Sequence, residues 1–473
     1  MRVGNGCGIP RIVLGVLLCL FVLSCNEDQN RDADDDDADD DTSGNSSSAA
    51  VGLVAGYAVI VGTDDSLYVT GDVEQNEEFG LDRKCLFRVA ADGTLMWKRC
   101  MDEWDYGGSI LGLAASGEVY FISSQCTSWE NYGWVPKIVC YVNEVVAAKY
   151  TADGTEKWQT VARGGQDNGL GELFDLWAFT ADDSGRVFAV TYSSDPPYTF
   201  SQLVGLRFGA DGALEPHVQV EIEIDPDSVA VDPNGNVVSA GVEEWSNDIS
   251  SPAVSVTSRT QSDFAESLWS ISRYFPPGTS RSLSGRLKTA SDSSGDVFLL
   301  IPLESKSEPV EYSCLLSKYD GNGKLLWSVE QEECYPTDVV IDATGAAYIY
   351  GCVDFEYEIP NACFVTKYSG DGVLLWNTTI STDDNHFCHF YAAAVDSAGN
   401  SYFAGSHIAS IDSDGNTRWF QSFSDGDAFA VTAGQNGELF VAGASGSSRG
   451  TVVTKFSGSG EILWVSEFDA NTP

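Results

Sequence analysis

The chain is predicted to be an all-β protein, an eight-bladed β-propeller of four-stranded antiparallel blades, from two hairpin motifs that alternate along it. One runs Lys318-Tyr319-Asp320-Gly321-Asn322-Gly323-Lys324-Leu325-Leu326-Trp327 and returns as Lys367 to Trp376 and Lys455 to Trp464. The other runs Val339-Val340-Ile341-Asp342-Ala343-Thr344-Gly345-Ala346-Ala347-Tyr348-Ile349-Tyr350-Gly351 and returns as Ala393 to Gly405 and Val229 to Gly241. Self-similarity at such a spacing marks a repeat architecture. A third observation agrees: helical periodicity is nearly absent, and no long apolar run occurs beyond the N-terminus.

The chain opens with basic Arg2 and Arg11, an apolar core from Ile12 to Leu23, and the small Ser24 before Cys25. Residues 1–25 therefore have the layout of a secretory signal peptide, too short to span a bilayer comfortably. Residues 26–50 follow as an acidic tether with the run Asp34 to Asp37 and Asp39 to Asp41, then a Ser/Gly/Asn stretch. Like charges repel and no large apolar residue offers a core, so this segment is expected to stay extended. Residues 51–473 are the expected propeller.

Within that domain each unit pairs two hairpins. In the first, an Asp caps the turn and a Gly supplies the left-handed position. Copies centre on Asp65, Gly117, Gly185, Gly235, Gly295, Gly345, Gly399 and Gly437. In the second, a short Asp-Gly or Gly-x-Gly segment sits between apolar flanks, the signature of a tight hairpin. Further copies run from Arg88 to Trp97, Lys149 to Trp158 and Ser410 to Trp419. One worn copy, Arg207 to Pro216, has proline in place of tryptophan, and another ends at Trp269 without an Asp-Gly. Two hairpins make one four-stranded sheet, and radial repetition of such sheets is a propeller. The tryptophan is expected to fill the space between blades. The count is eight, or seven if the worn region from Arg207 to Trp269 is read otherwise. The ring starts on an inner strand near Tyr57 and ends on an outer strand at Trp464, and residues 51–54 are a candidate extra strand.

These hairpins resemble the bacterial β-propeller repeat family labelled SBBP, over nearly all of Val51 to Phe468 and most strongly in the last four units. The resemblance implies a propeller in a secreted protein or lipoprotein and no particular activity. Val22-Leu23-Ser24-Cys25 resembles a bacterial lipobox, which implies that Cys25 is lipidated and becomes the first mature residue. Asn26 is not the aspartate of inner-membrane retention, so an outer-membrane or cell-surface location is expected, with a periplasm-facing anchor as the alternative. More distantly, the D-G-x-L-x-W cadence resembles quinoprotein propeller repeats. The chain has neither the adjacent cysteine pair of those enzymes nor a C-x-x-C-H, so no cofactor is expected.

Acidic residues number 70 against 26 basic, a formal charge of −44. Such a surface repels nucleic acid and suits cationic or neutral partners, a protein or a glycan. Of the 12 cysteines, Cys7 and Cys19 leave with the signal peptide. With Cys25 expected to take lipid, the nine that remain read as disulfides of an oxidising compartment. Cys85 and Cys100 lie symmetrically about the Asp92-Gly93 turn and should face each other across a hairpin. Cys126–Cys140, Cys314–Cys334 and Cys352–Cys363 are the other expected pairs, leaving Cys388 over.

The turns inside hairpins are short, whereas the links Ser123–Val145, Ala162–Leu176, Ser193–Gln202 and Ser270–Ser284 are long and share one face. That face is the expected binding surface. On it Trp129, Tyr132 and Trp134, between Cys126 and Cys140, could stack on a sugar or grip a protein, or could pack against a neighbouring blade. His386, Cys388 and His389 beside Asp383 and Asp384 are ligand types in no familiar metal spacing. Asp412-Ser413-Asp414-Gly415-Asn416 lacks the distal acid of an EF-hand and reads as a hairpin turn. No metal site is expected. The functional expectation is a non-enzymatic binding or scaffolding module. The alternative is a carbohydrate-active propeller using paired carboxylates near its channel.

Overall fold

The computed structural model describes residues 49–472 except 52–56, 63, 77–80, 102–108, 115, 132–137, 164–171, 182–185, 195–200, 217, 223, 244–252, 260–266, 275–280, 306–309, 354–361, 383–387, 424–425, 435–436, 445–449 and 470–471. A short strand, β1 (Ala49–Val51), precedes the ring. Blade 1 is β2 (Ala58–Val61), β3 (Leu67–Asn76), β4 (Leu81–Val89) and β5 (Leu95–Cys100). Blade 2 is β6 (Ser109–Leu113), β7 (Val119–Asn131), β8 (Ile138–Tyr150) and β9 (Glu156–Arg163). Blade 3 is β10 (Glu172–Ala181), β11 (Val187–Ser194), β12 (Ser201–Phe208) and β13 (Val218–Ile222). Blade 4 is β14 (Ile224–Val231), β15 (Val237–Glu243), β16 (Ala253–Arg259) and β17 (Ser267–Tyr274). In blade 5 the inner position is split into β18 (Arg281–Leu283) and β19 (Lys288–Ser291), both on β20 (Val297–Ser305), followed by β21 (Tyr312–Tyr319) and β22 (Leu325–Glu332). Blade 6 is β23 (Tyr335–Ile341), β24 (Ala347–Val353), β25 (Ala362–Tyr368) and β26 (Leu374–Ser381). Blade 7 is β27 (Phe390–Val395), β28 (Ser401–Gly405), β29 (His407–Ile411) and β30 (Thr417–Ser422). Blade 8 is β31 (Ala428–Ala433), β32 (Leu439–Ala444), β33 (Thr451–Phe456) and β34 (Ile462–Phe468).

The eight expected blades are thus present, each pairing its strands in chain order, and the described residues contain no α-helix. The extra strand lies at residues 49–51 and adds to β6 of blade 2, so it does not close the ring. Closure comes from side chains. Val59, Val69 and Phe87 of blade 1 share a core with Ala430, Phe440 and Val453 of blade 8, and Phe87 stacks on Phe468 at 4.9 Å.

The repeated residues form two devices. Within a blade, the strand-three cation lies over the strand-two ring and pairs with an acid of the first turn. Lys367 sits 4.6 Å from the Tyr348 ring centroid and 3.4 Å from Asp342. Asp342 Oδ1 accepts the Thr344 and Ala346 N–H groups, and its Oδ2 accepts Tyr348 O–H at 3.1 Å. Arg88 with Tyr68 and Asp64, Lys149 with Tyr120 and Glu118, Lys318 with Phe298 and Asp292, and Lys455 with Phe440 and Glu438 repeat the arrangement. Blade 7 has Ser410 at the cation position, and Arg418 of β30 reaches Tyr402 O–H instead, at 3.4 Å.

Between blades, each tryptophan indole N–H donates to a carbonyl in the second turn of the next blade. Trp97 reaches Ala152 O at 2.9 Å, Trp158 Ala210 O at 3.1 Å and Trp269 Gly321 O at 2.9 Å. Trp327 reaches Gly370 O at 2.8 Å, Trp376 Ser413 O at 3.0 Å, Trp419 Gly458 O at 3.1 Å and Trp464 Ala91 O at 3.0 Å. The receiving turn presents a glycine with positive φ to the indole face. A Cβ at Gly372 (φ +79°) would lie 2.7 Å from Trp327. Pro216 stands where blade 3 would need its tryptophan, and it has no indole to offer.

Cys85–Cys100 and Cys314–Cys334 are bonded as expected. The expected Cys352–Cys363 pair is corrected: Cys363 is bonded to Cys388, and Cys352 is a buried thiol. Repeat position explains the choice. Cys314 and Cys363 each lie four residues before the motif lysine, and Cys334 and Cys388 each lie eight before the turn aspartate. Both bonds therefore join the third strand of a blade to the start of the next inner strand. The side chains of Cys126 and Cys140 lie outside the described residues.

Candidate functional site

Inner strands begin at the end of the channel where the long links emerge, and their first residues are shaped alike. Five inner strands carry a register shift at one repeat position: Leu176/Ala178, Pro226/Ser228, Pro336/Asp338, Phe390/Ala392 and Ala428/Ala430. A bulge re-aims the extra side chain. In blades 7 and 8 the bulged residues are Tyr391 and Phe429, and Tyr57 holds the same position in blade 1, each five residues before the turn. Only around the axis can three inner strands bring these side chains together.

They form a continuous aromatic row. Tyr57 stacks on Phe429 at 5.3 Å, Phe429 meets Tyr391 at 5.3 Å, and Tyr391 meets His389 at 4.5 Å. Tyr57 is buried, while Phe429, Tyr391 and His389 are partly exposed. Burial pushes the His389 imidazole down to about 4, so it is neutral near pH 7. Burial, with Asp427 nearby, pushes the Tyr391 phenol up to about 12.

Asp427, two residues before Phe429, has its carboxyl held above the usual range by burial. Other acids at this mouth are engaged: Asp227 accepts the Leu287 N–H of blade 5 at 3.3 Å, and Asp338 accepts the Val339 N–H at 2.8 Å. Among the described residues no hydrogen bond or ion pair reaches the Asp427 carboxylate. Below the mouth the inner-strand residues Val59, Val339, Ala393 and Val431 are buried in the cores between blades. The arrangement offers ring surface and one poorly solvated carboxylate, suited to holding a neutral or cationic group.

The aromatic row lies at residues other than the expected Trp129, Tyr132 and Trp134. Trp129 lies in β7, opposite Cys140 in the ladder, because β7 and β8 extend their pairing to Asn131–Ile138 and turn much of the expected long loop into hairpin. The Trp129 side chain, Tyr132, Trp134, His386 and Cys25 lie outside the described residues. Cys388 is held in its disulfide, and the described residues contain no group of three potential metal ligands. Asp412 caps its hairpin turn, accepting the Asp414 and Asn416 N–H groups. The aromatic row was missed although its signal is present: aligning the first turns places Tyr57, Tyr391 and Phe429 at one repeat position.

No family model matches the chain, and no curated protein does. Among solved structures it is similar to the Dos1 propeller, at 9% identity and a TM-score of 0.47, covering 82% of this chain and 90% of that one. It is also similar to the C-terminal WD40 domain of Sif2, at 10% identity and a TM-score of 0.42, covering 85% and 97%. A third is the polysaccharide lyase Uly1, at 9% identity and a TM-score of 0.46, covering 86% and 96%. At these identities the likenesses concern the fold alone, and the chain is a β-propeller by its own eight sheets.

Proposed function

We propose that this chain is a lipid-anchored propeller of a bacterial outer membrane or cell surface that binds a protein or glycan partner at the channel mouth without transforming it. The aromatic row Tyr57–Phe429–Tyr391 carries the binding reading, because the partly exposed Phe429 and Tyr391, backed by the buried Tyr57, give contact area at low entropic cost. The lipobox-like sequence ending at Cys25 and the acidic tether support the anchor and its display.

Glycan-array and pull-down screening with the wild type supplies the partner, and the variant Tyr391→Ala/Phe429→Ala tests the site. Capture should fall by about tenfold or more while thermal stability changes little. Unchanged capture by a folded variant would move the site elsewhere, with Trp129, Tyr132 and Trp134 next. For the anchor, Cys25→Ser should abolish lipid labelling and membrane fractionation; persistent labelling would remove that reading.

Asp427 gives specific support to the second reading, a carbohydrate-active propeller, since a carboxyl held above its usual range can act as a proton donor. Glycan cleavage by the wild type that is lost in Asp427→Asn would establish it.

A further inference from the structure

Three buried sulfurs meet between blades 6 and 7. Cys363 of β25 is bonded to Cys388, with Cα atoms 5.6 Å apart. Cys352 of β24 lies directly opposite Cys363 in the ladder, and its S–H donates to the Cys388 carbonyl at 3.2 Å. The thiol therefore hydrogen-bonds to one half of the crosslink and lies across the ladder from the other. Blade 5 has the same crosslink, Cys314–Cys334, but Pro302 faces Cys314 in the ladder. The third sulfur is thus an addition to a device that works without it. A directly opposed strand pair can be bonded in this fold, as Cys85 and Cys100 show.

We propose that Cys352, Cys363 and Cys388 form an internal thiol–disulfide exchange switch in which Cys363 alternates between Cys388 and Cys352. Cys352 gives up its S–H proton and its sulfur attacks Cys363 Sγ. The Cys352–Cys363 bond forms as the Cys363–Cys388 bond breaks, and Cys388 leaves as a thiolate that takes up a proton. No electrons are gained or lost overall, so no external oxidant or reductant enters.

The two states differ in what they tie. In the described state strand β25 holds Cys388, two residues before β27, and so fixes His389 and Tyr391 at the channel mouth. In the exchanged state both bonded sulfurs belong to blade 6, and the start of β27 is held by its ladder and by the His389–Ser406 hydrogen bonds. The switch would thereby loosen one end of the aromatic row. It does not depend on the binding reading, because its readout is the thiol map and not ligand capture.

Burial pushes the Cys352 thiol up to about 12. The titratable groups facing it are Tyr335 of β23 and Tyr391 of β27, both phenols held protonated above their ordinary range, chiefly by burial. Thiolate is therefore scarce near neutrality, and exchange should be slow, rising about tenfold per pH unit between pH 7 and 9 as the thiolate fraction grows.

The test is a time course of alkylation after acid quench and denaturation, with peptide mapping of the full chain. At the start Cys352 alone of the three should be labelled. On incubation at pH 9 without reductant, Cys388 labelling and a Cys352–Cys363 linked peptide should appear together, and both should be lost in Cys352→Ser. Refolded oxidatively, Cys388→Ser should carry the Cys352–Cys363 bond. Label confined to Cys352 throughout the time course would overturn the proposal, as would two free thiols in folded Cys388→Ser.

Discussion

Blade 6 and blade 4 are built from the same repeat, yet they are held by different means. Blade 6 keeps every part: Lys367 over Tyr348 and beside Asp342, Trp376 donating forward, and Gly372 receiving Trp327. Blade 4 has Ser258 for the cation and Val238 for the ring, and the turn that would receive a tryptophan, 260–266, contains no glycine. The blade before it has lost the tryptophan itself, at Pro216. In blade 4 the cation and the ring are missing together, and at its joint with blade 3 so are the indole and the glycine. An indole N–H without its carbonyl would be a liability, while the acid Asp232 is kept. Blade 4 substitutes small polar contacts. Its Asp232 is satisfied by Asn236 Nδ2 at 2.8 Å, Ser228 meets Thr289 of blade 5 at 2.9 Å, and Thr257 meets Ser270 at 2.9 Å.

The largest expected effect is on the buried cations of the regular arc. Lys318 lies between Asp292 and Asp296, at 2.9 and 3.0 Å. Burial alone would lower its pKa, but the two carboxylates outweigh that and hold it above the ordinary lysine value. Lys318→Met should cost about 3 kcal/mol by leaving buried carboxylates unpaired, whereas Ser258→Ala in blade 4 should cost less than about 1 kcal/mol. Chemical denaturation of both variants checks this, and equal losses would erase the distinction between the arcs.

A smaller effect separates backbone from packing. Gly372 and Gly117 have φ of +79° and +80°, but a Cβ at Gly372 meets Trp327 whereas one at Gly117 meets nothing within 4 Å. Gly117→Ala should cost about 1–2 kcal/mol from the left-handed backbone alone. Gly372→Ala should cost about 1–3 kcal/mol more, as the added methyl pushes the indole from its seat. The same cost at both positions would mean that the indole seat contributes nothing.

The smallest effect concerns Asp427. Its folded pKa is raised, so the native state binds more protons than the unfolded chain between the ordinary carboxylate range and the shifted value. The group therefore weakens stability at neutral pH, and that penalty is relieved as pH falls through the folded pKa. Asp427→Asn should raise the melting temperature slightly at pH 7 and lose its advantage near pH 4. A lowered melting temperature at pH 7 would mean that the carboxylate is paired in solution.

Much of this was legible in the sequence because the fold is local and repeated. Turn glycines and capping aspartates act within one hairpin, so their spacing exposes them, whereas each cation–ring pair joins the two hairpins of a blade. The blade count survived even the worn units, since apolar alternation persists where Trp and Gly are gone. What the sequence concealed were contacts between units. The Cys363–Cys388 bond and the Tyr57–Phe429–Tyr391 row each join different blades, and adjacency along the chain suggested Cys352 and the Trp129 loop instead. Comparing equivalent positions would have recovered both. Arg418 was less accessible, because it supplies from another strand the cation that Ser410 lacks.

Indole-to-turn joints secure the ring, and the joint between blades 3 and 4 lacks one. Native-state hydrogen exchange, followed by mass spectrometry on peptides spanning β11–β12 and β15–β16 against β24–β25 and β32–β33, tests this most directly. The predicted result is that blades 3 and 4 open with free energies at least about 1 kcal/mol lower than blades 6 and 8, the contribution of one hydrogen-bonded indole. Equal protection across all four blades, or slower exchange in blades 3 and 4, would contradict it.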